Sequence, residues 1–182
     1  MGKYIRFTIL YAVLIWFAGC QTVPEYPVAP SISFGSVNFK DFPPTEQDII
    51  YLTIKYKDGD GDLGLSNDDL NTPQFIDTLI VDGKKVFNKN HHNIFIEYYR
   101  KDGNQYKYDT SGESNGSNGI FPRLLENEIK SPIEGSILYQ IKSFYFFGQD
   151  SSIVKIKVHI QDRALHKSNT IETPPFSVIN KP

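Results

Sequence analysis

The chain has 182 residues with one cysteine, one tryptophan, 22% charged residues and a formal net charge of −2. One thiol excludes an internal disulfide framework, and the slightly acidic balance excludes the clustered basic surface that nucleic-acid binding needs. The length suits one domain.

In chain order, Lys3 and Arg6 give a short basic start, residues 7–18 an apolar run, and Phe17-Ala18-Gly19-Cys20 resembles a lipobox. A spanning helix needs ~20 apolar residues, so this run is too short to cross a bilayer unaided, and its small-residue exit reads as a processing site. Residues 1–19 are therefore expected to be a cleaved lipoprotein signal peptide, with Cys20 lipidated. Cleavage removes Lys3 and Arg6 and leaves 17 basic residues against 21 acidic ones. Such a body has no net electrostatic pull toward anionic headgroups, so attachment falls to the acyl chains. Lipidation also uses the only thiol, which excludes cysteine nucleophiles and thiolate metal sites. Gln21, where Asp would retain a lipoprotein in the inner membrane, points to the outer membrane. Glu25 is the only carboxylate nearby, which leaves periplasmic or cell-surface facing open.

Residues 20–30 contain Pro24, Pro27 and Pro30 and read as an extended tether, about 30 Å long at ~3.1 Å per residue. Residues 31–182 then read as a single β-sandwich domain. Ile32, Phe34, Val37 and Phe39 alternate imperfectly around Gly35, predicting a bulged strand. In the 49–56 strand, Ile50, Leu52, Ile54 and Tyr56 share one face. Further strands are predicted at 75–81, 94–99, 105–108, 137–147, 153–160 and 176–179, with turn signals at Asp82-Gly83 and Asp102-Gly103. Residues 123–130 could form one short helical turn, and residues 111–119 read as a mobile Ser/Gly/Asn loop tip. Many short strands punctuated by turns favour an all-β antiparallel sandwich, immunoglobulin-like or related, over a parallel α/β sheet.

The sharpest chemical motif is Asp58-Gly59-Asp60-Gly61-Asp62-Leu63-Gly64, directly after the 49–56 strand. Alternate aspartates between glycines let the backbone curl round a cation and offer hard oxygens, which Ca²⁺ prefers. Asp58, Asp60 and Asp62 match positions 1, 3 and 5 of an EF-hand loop, and Asp69 falls at position 12. Leu63 stands where that loop has Gly, Asp69 where it has Glu, and a strand precedes it, so a calcium loop between strands is the form expected. A solvated Asp-Gly turn is the competing reading. Mutual repulsion of three aspartates favours a counterion, with a structural role.

Three segments, YLTIKYKDGDGDLGL, IFPRLLENEIKSPIEGSILYQI and VHIQDRALHKSNTIETPPF, together resemble a family of small Bacteroidota lipoproteins. That resemblance implies an immunoglobulin-like or related sandwich on the outer membrane, without assigned activity and without catalytic residues. In the third segment Asp162 and Arg163 close the 153–160 strand, and Ser168 and Asn169 can hold a turn. Asp162 and Asn169 would complete the cation site if the two loops share one end of the sandwich. A self-capped surface loop is the alternative.

Gly112-Glu113-Ser114-Asn115-Gly116 spells the serine-hydrolase elbow, with Asp150 or Asp162 and His166 in the right chain order. The elbow needs a strand before it and a helix after it, which a Ser/Gly/Asn loop does not supply. His91 and His92 are adjacent and point apart on a strand, while His159 and His166 read as surface residues. The aromatics Tyr98, Tyr99, Tyr139, Phe144 and Phe146 fill a core or, where exposed, mark a protein or glycan surface. The expectation is thus a non-enzymatic, lipid-anchored outer-membrane accessory or scaffold subunit with a structural Ca²⁺ loop, partnered by a membrane protein. Alternatives are a surface module for a glycan or host ligand and, less favoured, a hydrolase using Ser114.

Overall fold

In β8 (Ser151–Ile160) the odd–even alternation is complete: Val154, Ile156, Val158 and Ile160 are buried, while Lys155, Lys157 and His159 face outward. The computed structural model describes residues 24–43, 46, 48–109, 118–126, 129–142 and 151–179. Among these the other strands are β1 (Ser31–Lys40), β2 (Ile49–Asp58), β3 (Thr78–Val81), β4 (Lys84–Phe87), β5 (Ile94–Asp102), β6 (Gln105–Asp109), β7 (Ile133–Lys142), β9 (Ile171–Glu172) and β10 (Phe176–Ile179). A single turn of helix, α1 (Asn67–Leu70), follows the acidic loop.

Apart from the separate two-stranded β3-β4 hairpin, the described strands form two antiparallel sheets, ordered β1-β2-β7 and β10-β8-β5-β6, with β9 added beside β8. Their facing sides share one core. Ile50, Leu52 and Ile54 of β2 meet Ile94, Ile96 and Tyr98 of β5 and the inward row of β8. Each fully buried aliphatic side chain of this kind contributes about 1.5–3 kcal/mol. The all-β antiparallel sandwich expected from the strand pattern is the observed architecture. The bulge in β1 falls between Phe34 and Ser36, at Gly35, where a Cβ would overlap the Thr53 carbonyl.

Differences from the expected elements are local. β3 starts at Thr78 because Phe75 and Ile76 turn back, both amides donating to the Thr72 carbonyl. Asp82 and Gly83, both at positive φ, link β3 to β4, a strand the periodicity did not reveal. Residues 123–126 are not helical: the Leu124 amide donates to the Leu63 carbonyl and the Arg123 side chain reaches Asp69. Asn118 and Gly119 are fixed rather than loop tip, since Gly119 bridges Ile94 and Asn118 Oδ1 accepts from the Ile96 amide. Phe144, Phe146, Ser114 and Cys20 lie outside the described residues.

One pole of the sandwich collects the ends that matter below: the starts of β1, β5 and β7 and the ends of β2 and β8, as the pairings Ser31↔Lys57, Ile133↔Asp58 and Ile94↔Ile160 require. Among the described residues no helix is long and apolar enough to cross a membrane.

Candidate metal centre

Asp58 ends β2 and is completely buried. Its Oδ2 accepts from the Asp62 amide at 3.1 Å, which curls the intervening residues into a tight loop. Gly61 and Gly64 sit at positive φ, and a Cβ on Gly64 would strike the Pro122 carbonyl, so the turn needs glycine there. Leu63 and Leu65 point into the core and pin the loop from below.

The second wall comes from the chain after β8. The Arg163 amide donates to the Asp62 carbonyl at 3.3 Å, and the Ala164 amide donates to Asp62 Oδ2 at 3.1 Å. These bonds bring Asp162 against the acidic loop. Asp58, Asp62 and Asp162 each present a carboxylate oxygen, and the three oxygens lie within 4.8 Å of one another. Two oxygens on opposite sides of a Ca²⁺ ion, at ~2.4 Å each, stand about that far apart.

The hydrogen bonding is lopsided in an informative way. Oδ1 of Asp58, of Asp60 and of Asp62 is buried and accepts no hydrogen bond from the described residues. In each of the three the other oxygen is used, by the Asp62 amide, by Lys130 Nζ at 3.3 Å and by the Ala164 amide respectively. Orphaned buried carboxylate oxygens are costly unless a cation satisfies them. Asp162 is held from behind: its Oδ1 accepts from the His166 amide at 2.7 Å, and His166 Nδ1 lies 2.9 Å from its Oδ2. These bonds fix the orientation of the Asp162 carboxylate, as outer-shell hydrogen bonds do for carboxylates in metal sites.

Burial, followed by the repulsion of Asp62, Asp60 and Asp162, pushes the Asp58 carboxyl up to about 7. Burial and the charges of Asp162 and Asp60 push Asp62 up to about 6, and burial also raises Asp162. The donor set is entirely carboxylate oxygen, which fits a hard divalent cation, and Ca²⁺ tolerates such an irregular cage better than Mg²⁺.

No family model, curated protein or solved structure matches this chain.

Two residues expected at the site stand elsewhere. Asp69 forms a two-point ion pair with Arg123, Oδ2 to Nε at 2.8 Å and Oδ1 to Nη2 at 2.5 Å, and closes a capping box with Ser66 at the start of α1. That pairing, chiefly the Arg123 hydrogen bond, holds its carboxyl well below the usual range. The signal was present in the sequence as Ser66-x-x-Asp69. Asn169 bonds to β1 instead, accepting from the Ile32 amide at 2.8 Å and donating to the Ile32 carbonyl at 2.9 Å. Asn169→Ala is expected to cost about 1–2 kcal/mol in denaturant unfolding while leaving any calcium response intact.

The other candidates have structural settings. Tyr98 is core, not a binding residue. Tyr139 is half-buried against that core, with its hydroxyl where a side chain on Gly119 would be. Tyr99 lies on the outer face with Lys157 Nζ 4.5 Å above its ring. His91 bonds the Phe75 carbonyl, His92 packs on Phe87, and His159 stacks on Phe95 at 4.7 Å. Buried Asn93 was missed: its amide group bonds both the N–H and the carbonyl of Phe121, fastening the 118–124 segment over the acidic loop.

Proposed function

We propose that the chain is a non-enzymatic, lipid-anchored lipoprotein of the outer membrane. Its sandwich, immunoglobulin-like or related as in the Bacteroidota lipoproteins it resembles, is clasped at one pole by a structural Ca²⁺ ion. It serves as an accessory or scaffold subunit of an envelope protein assembly. The observation that carries this reading is the docking of the tether. The carbonyls of Tyr26 and Pro27 press on Gly59 of the acidic loop so closely that a Cβ there would overlap them. The Tyr26 hydroxyl donates to Glu134 Oε2 at 2.7 Å, and Lys57 Nζ stands 5.0 Å from the Tyr26 ring.

A tether glued to the body as far as Tyr26 leaves six residue steps back to Cys20, at most about 20 Å of extended chain. A lipid on Cys20 would thus hold the acidic pole beside the bilayer. The cation stiffens the pole that bears this load: Asp58 and Asp62 frame Gly59, and Asp162 joins the two sheets there.

Calcium-containing detergent extraction followed by affinity purification tests the assembly role. A stoichiometric integral membrane partner is expected. A monomer that binds glycans, or activity lost in Ser114→Ala, would replace this reading with one of the alternatives.

A further inference from the structure

The hairpin β3–β4 pairs with itself and, among the described residues, with no other strand. A lone two-stranded hairpin is marginal in water. Yet Ile80 is 65% exposed and Phe87 52%, with Val81 and Val86 about half exposed. The register places Ile80, Lys85, Thr78 and Phe87 on one side and Leu79, Val81, Lys84 and Val86 on the other. Each side thus joins apolar side chains to one lysine near the tip, and Lys89 follows at the base.

The hairpin springs from the acidic pole. Gln74 Nε2 donates to the Arg163 carbonyl at 2.9 Å, next to Asp162. Buried Asn88 closes the base, its Nδ2 donating to the carbonyls of Gln74 and Ile76. The docked tether leaves the same pole, through Tyr26 and Pro27 on Gly59. The exposed apolar hairpin and the route to Cys20 therefore share one end of the molecule.

We propose that β3–β4 is a membrane-docking hairpin that lays its more exposed face, Ile80 and Phe87, into the interface of the bilayer holding the acylated Cys20, with Lys85 on that face and Lys84 at the turn reaching lipid phosphates. This rests on the lipoprotein reading above. The body as a whole is acidic, so the charge match is local to the hairpin, where Lys84 and Lys85 outnumber Asp82. Long lysine stems bury their methylenes and keep the ammonium at headgroup level. The short reach from Tyr26 to Cys20 keeps the hairpin within range.

Cys20 is the sole cysteine, and acylation uses its thiol, so Ile80→Cys or Phe87→Cys adds one labelling site to the acylated protein. Each variant, and a control Lys142→Cys at the opposite pole, is labelled with an environment-sensitive dye and reconstituted in phosphatidylethanolamine–phosphatidylglycerol vesicles carrying doxyl lipids. Quenching of the Ile80 and Phe87 probes at least threefold stronger than at Lys142 is expected, with blue-shifted emission. Equal quenching at all three sites overturns the hairpin's role. So does a hairpin probe shielded from aqueous iodide but untouched by doxyl lipids, which would mark a protein partner. Incorporation of labelled palmitate, lost in Cys20→Ala, is measured in parallel. Palmitate without hairpin quenching overturns the hairpin alone, and absence of palmitate overturns both.

Discussion

Millimolar Ca²⁺ is expected to raise the melting temperature of the chelated protein by roughly 5–10 °C at neutral pH. A ligand at 100 times its Kd adds ~2.7 kcal/mol, and ~1 kcal/mol moves a domain of this size by about 2–4 °C. The physical cause is the set of unpartnered oxygens of Asp58, Asp60 and Asp62, which in the cation-free protein are buried against one another's charge. Asp58→Asn separates the explanations. The amide oxygen can still accept from the Asp62 amide, while one buried negative charge is gone. The variant should lose the calcium shift and, in chelator at pH 7.5, melt no lower than the parent. A parent indifferent to Ca²⁺ and to chelation, or a variant that melts lower in chelator, would sink the cation site.

The pH dependence has a definite sign. Asp58 and Asp62 titrate near 7 and 6 in the cation-free fold, above the ordinary unfolded value of ~3.9. The folded state therefore holds extra protons between about pH 4 and 7. Stability from these groups is fully present below about pH 4 and is lost as pH rises through the folded values, on the order of a few kcal/mol. Calcium reverses the trend, because binding expels those protons and gains strength toward pH 8. Melting curves at pH 5 and 8, with and without Ca²⁺, should diverge accordingly.

Arg123→Ala is expected to cost about 3–5 kcal/mol, the usual loss when one member of a largely buried ion pair is removed. Both side chains are mostly buried, and Asp69 also accepts from the Ser66 amide and hydroxyl. Truncation would strand that carboxylate beside the acidic loop and unfasten α1 from the 118–124 segment. Asp69→Asn should cost less, since the amide keeps part of the capping box and leaves no buried anion. Here the sign is opposite to that of Asp58: the lowered carboxyl stabilises above about pH 4, and that stability disappears as pH falls through its folded value. Urea unfolding at pH 7 and pH 3 measures both effects. Equal stability of Arg123→Ala and the parent at pH 7 would show the pair to be ornamental.

The strands were legible because one face of each is buried and the other wet, which imprints a period of two on residues 49–56 and 153–160. β4 was not, because Lys84 to Phe87 is exposed on both faces and carries no such imprint. Within the candidate site, the turn that brings Asp58 and Asp62 together was readable from their spacing and glycines. Asp69 misled because a loop template places ligands by position, whereas its neighbours Ser66 and Arg123 offered stronger partners.

The sequence by itself determined the all-β class, the alternation that orients β2 and β8, and a tight acidic, glycine-bracketed loop, since all of these depend on neighbours within a few residues. Only the tertiary structure decided that Asp162 rather than Asp69 closes the cluster, that Asn169 serves β1, and that tether, hairpin and acidic loop share a pole. Those outcomes depend on which distant segments compete successfully for the same hydrogen-bond donors and the same charge, and that competition is resolved only once the sheets have packed.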